Sequence, residues 1–334
     1  MDNPAKVLAG LTYIVRPLFS MTKNFENQIL EGDCIEILGG VKEPFVDLVF
    51  ADPPFNIGYK YDKYHDKKEK EHYLEWTKKW MAGCCNVLKP NGSFYIAIGD
   101  TYAANIKVIA DELGLVMRNW IIWHYTFGQQ TKDKFARAHT HIFYFVKDKN
   151  NFTFNDWAVR TPSDRQLIYN DKRANSVGKN PDDVWNCFSR VCGTFKERQG
   201  WHPCQMPELL LARIIAASSN EGDCVLDPFN GSGTSAVVAA KYGRKYCGID
   251  ISKDYVKKTI ERIGKIRNQS SDMEADEIRR LFVEMGIEKT TLLESKKLMD
   301  IFAKQFSIRM NNKKEYEVEP IKSVIEEFCV GQKK

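Results

Sequence analysis

The sequence predicts an α/β protein built on one twisted, mostly parallel sheet with an antiparallel edge hairpin. Three observations carry that prediction. Seven short runs of β-branched and aromatic residues recur along the chain: "QILEGD", "VDLVFAD", "GSFYIAIGD", "NWIIWHY", "HIFYFVK", "CVLDPF" and "KYCGID". Each is suited to a strand. Helical patterns separate several of them, among them "YLEWTKKWMAGCCNVL", "YAANIKVIADEL" and "PELLLARIIAASS", and such alternation implies parallel strands with helices on both faces. The two aromatic runs within 120–147 are joined by polar residues with no helix between them, which predicts an antiparallel pair at the sheet edge.

The flanking regions follow from composition. "AKVLAGLTYIVRPLFSM" begins like a targeting segment, but Arg16 and Pro17 interrupt it well short of a membrane span. Met21 opens a natural start, so residues 1–24 are expected to be a peripheral extension of a cytoplasmic protein with no membrane partner. A catalytic unit over 25–267 would carry an irregular insertion at about 150–200, rich in Asn, Asp, Arg and Lys with isolated aromatics. "NQSSDMEADE" then opens a tail, 268–334, whose "ADEIRRLFVEMG" and "TTLLESKKLMDIFAKQF" show apolar residues at three- and four-residue spacing. This tail is expected to be a helical appendage that clamps nucleic acid, joins two subunits or stabilises the core.

Whole-chain properties narrow the function classes. The 334 residues are 43% apolar and 28% charged, an ordinary soluble composition. A net charge of +5 permits a nucleic-acid partner without requiring one. Nine cysteines form no regular framework, which fits a reducing compartment. Cys187, Cys192, His202 and Cys204 lack the paired short spacings of a zinc site, so no metal is expected.

Chemistry concentrates in two stretches. In "LVFADPPFNIG" an apolar run suited to a buried strand ends just before Asp52, and Pro53 and Pro54 stop the ladder and stiffen the backbone. In "VLDPFNGSGTSAVVAAKYGRKYCGIDIS" a buried strand ends at Asp227, a tight loop follows, a helix starts near Thr234 and a second strand ends at Asp250. Gly231 and Gly233 let the backbone approach a ligand closely. The acid about 20 residues on is placed for a ribose diol, so this spacing indicates a nucleoside cofactor. The dinucleotide fingerprint is not met, because Ala236 stands at its third glycine position. A phosphate-binding Gly-Lys-Ser/Thr loop is absent too.

Together "DPPF" and "DPFNGSGT" resemble the amino-directed DNA methyltransferases that use S-adenosylmethionine, over roughly residues 25–265. The order of parts, catalytic motif first and cofactor loop last, is that of the β class. The resemblance implies the Rossmann-like methyltransferase fold and base flipping. "EGDCIEIL" resembles the segment that contacts the cofactor adenine, implicating Asp33 and Cys34, and "HPCQMP" resembles the family's H-P-x-Q-K-P segment, implicating His202 and Gln205. Phe55 stands where tyrosine is commoner and Met206 where lysine is usual. Asp250 and Ile251 would serve the ribose end, while Pro228, Phe229, Ser232 and Thr234 belong to the loop packed on the methionine part. Asp227 and Asn230 would approach the amino-acid end, and either could instead bond only within its own turn.

An exocyclic amino group is a poor nucleophile, because its lone pair is delocalised into the ring. Asp52 can accept one amino hydrogen and the Pro53 carbonyl the other, with the carboxylate bond the stronger. Phe55 offers a face for an extruded base. Lys132, Lys134 and Arg137, with Arg160, Arg165, Lys172 and Arg173 of the insertion, would contact double-stranded DNA. The leading expectation is methylation of the adenine 6-amino group in restriction-modification. The alternatives are the cytosine 4-amino group, disfavoured because serine usually replaces Asp52 there, and a catalytically silent DNA- or nucleoside-binding subunit. A cognate endonuclease and a homodimer are further expected partners.

Overall fold

The computed structural model describes residues 25–59, 66–126, 131–193, 195–266, 269–312 and 315–328. The N-terminal extension and residues 60–65 of the Tyr- and Lys-rich loop lie outside them. In chain order the first half comprises β1 (Gln28–Glu31), α1 (Cys34–Gly39), β2 (Val46–Ala51), α2 (Lys70–Val87), β3 (Leu88–Ile98) and α3 (Asp100–Glu112). Next come β4 (Val116–His124), β5 (His139–Val146), α4 (Asp164–Leu167), β6 (Val184–Trp185) and α5 (Glu208–Ser218). After these follow β7 (Cys224–Asp227), α6 (Thr234–Lys241), β8 (Lys245–Asp250) and α7 (Lys253–Ile263). The tail forms α8 (Gln269–Met285), α9 (Lys289–Glu294), α10 (Lys296–Arg309) and α11 (Val318–Glu327).

One eight-stranded sheet runs in the order β1-β8-β7-β2-β3-β5-β4-β6. Its first five strands are mutually parallel, and β5 is antiparallel to both β3 and β4. Period-two alternation sorts the side chains of each strand into two cores. Phe94, Ile96 and Phe143 face Trp80 and Met81 of α2, while Tyr95, Ala97 and Ile142 face Leu211 and Ile214 of α5. All seven predicted strands form. The antiparallel pair is not the outermost edge, however. Trp185 is buried, the Ile122 amide donates to the Asp183 carbonyl at 2.8 Å, and two insertion residues add a short parallel strand beyond β4.

The tail helices share a core of Leu281, Phe302, Phe306 and Ile325. They are also bonded to the body through buried charges. Arg213 of α5 pairs with Glu284 at 2.8 Å, Arg280 pairs with Glu277 and Glu284, and Arg309 reaches both of these acids. Arg280 and Arg309 donate to the carbonyls of Ala158, Val159 and Arg160 in the insertion. The amphipathic spacing that suggested a second subunit is thus satisfied within one chain. Ser295 separates α9 from α10 by capping α10, its hydroxyl accepting the Leu298 amide. Among the described residues no helix is long and apolar enough to cross a membrane.

Candidate active site

Four adjacent strands each deliver an aspartate at their carboxyl ends. Asp33 follows β1, Asp250 ends β8, Asp227 ends β7 and Asp52 follows β2. Ligands of open α/β sheets collect at that end. A cavity of about 380 Å³ opens there. Of the residues singled out in the sequence, Asp33, Cys34, Asp52, Pro54 and His202 line it, with Asp227, Pro228, Phe229, Asn230, Gly231, Ser232, Thr234, Asp250 and Ile251.

The 228–234 loop is held from all sides. Gly231 and Gly233 have φ of 48° and 75°, which a side chain rarely tolerates. A Cβ at Gly231 would lie 2.8 Å from His202 Nε2, so the imidazole packs directly over the loop. Asp250 accepts the amides of Gly231 and Ser252, each at 2.8 Å. Arg262 donates to the Ser232 carbonyl at 2.8 Å from behind. Asp227 accepts the Phe229 amide at 3.0 Å and the Ser235 hydroxyl at 2.6 Å. Asn230 donates to Thr259 at 3.0 Å, so its side chain braces the loop as a turn residue does.

The D-P-P-F segment is equally fixed. Tyr73 donates to the Pro54 carbonyl at 2.7 Å, whereas the Pro53 carbonyl accepts no hydrogen bond among the described residues. Asn56 takes φ of 57° and is tied to Lys68 and Tyr102. Buried Asp66 accepts the amides of Asn56, Ile57 and Tyr59 at 2.7, 3.2 and 2.9 Å. Phe55 rests on Gly99, where a Cβ would approach its ring to 3.2 Å.

Burial and mutual repulsion govern the charges. Burial first, then Asp227, pushes the Asp52 carboxyl up to about 7, against the pull of Arg190. Asp227 is pushed up to about 7 by burial, with Asp250 adding to the effect. Burial holds His202 down at about 4 and therefore neutral. The Cys34 thiol is pushed up to about 12 by burial and Asp33, so it is inert.

Several predicted residues do other work. Gln205 does not line the cavity: it accepts the Gln199 amide and donates to the Glu197 carbonyl, closing its own turn. Asp33 spends one oxygen capping α1 through the Ile35 amide at 2.7 Å. Pro53, Phe55 and Gly233 flank the cavity without lining it. Arg160 pairs with Asp156 and donates to the Gly178 carbonyl, a structural role that leaves its guanidinium engaged. Arg173 is exposed but paired with Asp171, and Arg165 and Lys172 are exposed in the insertion. Arg137 pairs with Asp100 at the start of α3, and Lys132 and Lys134 are exposed beside it in sequence. Among the described residues no three His, Cys, Asp or Glu side chains are grouped to hold a metal ion.

The structure also adds residues that sequence reading missed. Trp76 packs tilted against Phe229 with centroids 5.6 Å apart, Lys68 lies 4.9 Å from the Trp76 ring, and both line the cavity. Met206, Cys204 and Tyr255 complete the wall, with Tyr255 edge-on to His202 at 4.9 Å. Trp76 falls within an ordinary helical pattern, so no local signal marks it.

Comparison with known proteins bears on this arrangement. Residues 46–261 match the family model described as DNA methylase. The chain is 38% identical to the type II methyltransferase M.HpaI of Haemophilus parainfluenzae over 239 residues, 71% of this chain and 74% of that protein. It is 37% identical to the DNA adenine methyltransferase YhdJ of Escherichia coli (strain K12) over 259 residues, 75% of this chain and 86% of that protein. The solved PvuII DNA methyltransferase (cytosine-N4-specific) aligns with a TM-score of 0.57 at 19% identity, covering 77% of this chain and 93% of that one, and speaks to the fold alone.

Proposed function

The chain belongs to the DNA methylase family, and from that premise we propose that it transfers a methyl group from S-adenosylmethionine to the 6-amino group of adenine in duplex DNA. The observation that carries this reading is the row of four aspartates along one cavity, with the D-P-P-F acceptors at its end. The cavity suits the cofactor chemically. Asp250 and Asp33 offer carboxylates at one end, Trp76 and Phe229 an aromatic wall, and Asp227 a carboxylate with no cation beside it among the described residues. When bound, the cofactor supplies an electrophilic methyl on a sulfonium. Binding that cation favours the ionised forms of Asp227 and Asp52.

The residues of the chain do the rest. The Pro53 carbonyl accepts no hydrogen bond among the described residues, while Tyr73 holds its neighbour at Pro54. With Asp52 and Pro53 holding both amino hydrogens, the nitrogen can become tetrahedral and present its lone pair. The surplus proton after transfer can pass to Asp52, whose raised pKa of about 7 suits a group that must first accept and then release it near neutral pH. Phe55 provides the face for the flipped base. The carboxylate at 52 and the likeness to a relative named as an adenine methyltransferase support adenine over cytosine.

We read residues 25–267 as the catalytic body with the 150–200 insertion selecting the sequence, and 268–334 as its brace. Two relatives named as type II methyltransferases support a companion endonuclease of the same specificity. A homodimer is the remaining expected partner, checked by light scattering. Methylation-sensitive sequencing of DNA from cells expressing the protein tests the main reading. It is expected to show one short motif carrying N6-methyladenine, lost with Asp52→Ala. Methylation only at cytosine, or none with cofactor bound, overturns it.

A further inference from the structure

Among the described residues one large aromatic ring stands almost wholly in water. Phe135 is 98% exposed, the highest value among the large apolar residues described. It lies at the tip of the β4–β5 hairpin, whose ladder is closed by the Tyr125 amide on the Ala138 carbonyl at 2.9 Å. The described residues 131–138 enter β5 at the carboxyl end of β3, where Ile98 pairs with His141, and Arg137 and Phe55 both lie near Gly99 there. The hydroxyl of Thr131 donates to the Lys134 carbonyl, folding the segment that presents the ring. On the other side Arg137 is tethered to Asp100. A Cβ at Gly99 would lie 3.2 Å from Phe55 and 3.9 Å from the Arg137 guanidinium. Phe135 therefore sits two residues, at most about 7 Å of extended chain, from a side chain adjoining the base-stacking face.

Its charge environment identifies the occupant. Lys132 and Lys134 stand within three residues of Phe135 in sequence, both exposed, and Asp133 is the one acid among residues 131–137. An apolar ring framed by cations does not suit a protein core or a neutral peptide. It does suit a duplex, where phosphates meet the cations and a ring can enter between bases. Extruding a base costs its stacking and leaves a gap in the duplex that an inserted side chain can occupy.

We propose that Phe135 is the wedge that enters the DNA stack as the target base leaves it, with Lys132 and Lys134 seating the tip on the flanking phosphates. This rests on the base-methylating reading above. The test uses a duplex carrying the motif found by sequencing, and a second duplex with an abasic site opposite the target adenine, where extrusion costs little. Phe135→Ala is expected to lower kcat/KM on the paired duplex at least tenfold and on the abasic duplex less than twofold. It should also abolish the rise in 2-aminopurine fluorescence at the target position, with cofactor affinity and melting temperature unchanged. Phe135→Trp should restore both signals. Equal losses on the two duplexes, or losses below twofold on both, overturn the wedge while wild-type methylation leaves the adenine reading intact. A wild-type enzyme inactive on the paired duplex overturns both.

Discussion

Two clusters of buried acids in this molecule are treated in opposite ways. Glu284, between the tail and the body, faces Arg213, Arg280 and Arg309, and is held down at about 2 despite its burial. Asp52, at the carboxyl end of the sheet, is partly buried near Asp227, with Arg190 the opposing cation among the described residues, and is pushed up to about 7. Arg190 is exposed and stands 5.0 Å over the Tyr125 ring, so its pull is screened by water. The first cluster is complete within the chain and can serve only to hold it together. Among the described residues the second is short of positive charge, and that deficit is what a cationic cofactor can fill.

The largest effect should come from removing the under-compensated acid. Asp52→Ala is expected to lower kcat for methyl transfer by about 10³-fold or more, the scale of losing a main electrostatic partner of the transition state. Cofactor affinity by calorimetry should change little. A variant that loses cofactor affinity as strongly as rate would break the contrast, because Asp52 would then be part of the cofactor's own cradle.

Removing the fully paired acid should do the reverse. Glu284→Ala leaves three arginines facing too little negative charge and should cost about 3–5 kcal/mol of stability, read from urea denaturation. Turnover per folded molecule should stay near that of the wild type. Deleting 268–334 should be worse, since it strips Arg213 of its partner and exposes the Ala158–Arg160 carbonyls. A deletion variant that still melts cooperatively near the wild-type temperature would show that the ionic cluster is dispensable.

A smaller effect is expected between the clusters. Asp66 spends its carboxylate on three amides of the segment following Phe55. Bonds to a charged acceptor are worth about 1.5–3 kcal/mol each, and in Asp66→Ala one bond's worth of lost order corresponds to about a tenfold fall in kcat/KM for DNA. Asp66→Asn should recover part of it. No change in either variant would mean that the segment is ordered by Asn56 alone.

The pH dependence of stability sharpens the contrast most finely, because the two acids act with opposite signs. Asp52 is raised from an ordinary value of 3.8 to about 7, so the folded state holds its proton more tightly than the unfolded chain. Its favourable contribution is complete below about pH 4 and fades as pH rises to about 7. Glu284 is lowered from 4.5 to about 2. Its contribution is present above pH 4.5 and lost as pH falls toward 2. Asp52→Ala should therefore gain stability relative to wild type between pH 5 and pH 8, and the Glu284→Ala deficit should shrink below pH 4. Urea midpoints across that range check both slopes, and a difference from wild type that is flat with pH would contradict the assigned burial.

Much of this was legible in the residues alone. The strands ending at Asp52, Asp227 and Asp250 could be read because period-two patterns, prolines and glycines act within a few residues of the backbone they shape. The left-handed Gly231 and Gly233 follow from the same local rule. Helices in the tail could be read from their spacing, but not their partner. Arg280 stands one helical turn from Glu284, but only the packed molecule decided that Glu284 also meets arginines of α5 and α10, and that Trp76, inside an ordinary helical pattern, forms a wall of the cavity. It likewise turned Gln205 and Arg160 to structural duty and left Phe135 in water. Local geometry is set by each residue and its near neighbours. The compensation of a buried charge is set by groups tens or hundreds of residues away, which only long-range packing brings into reach.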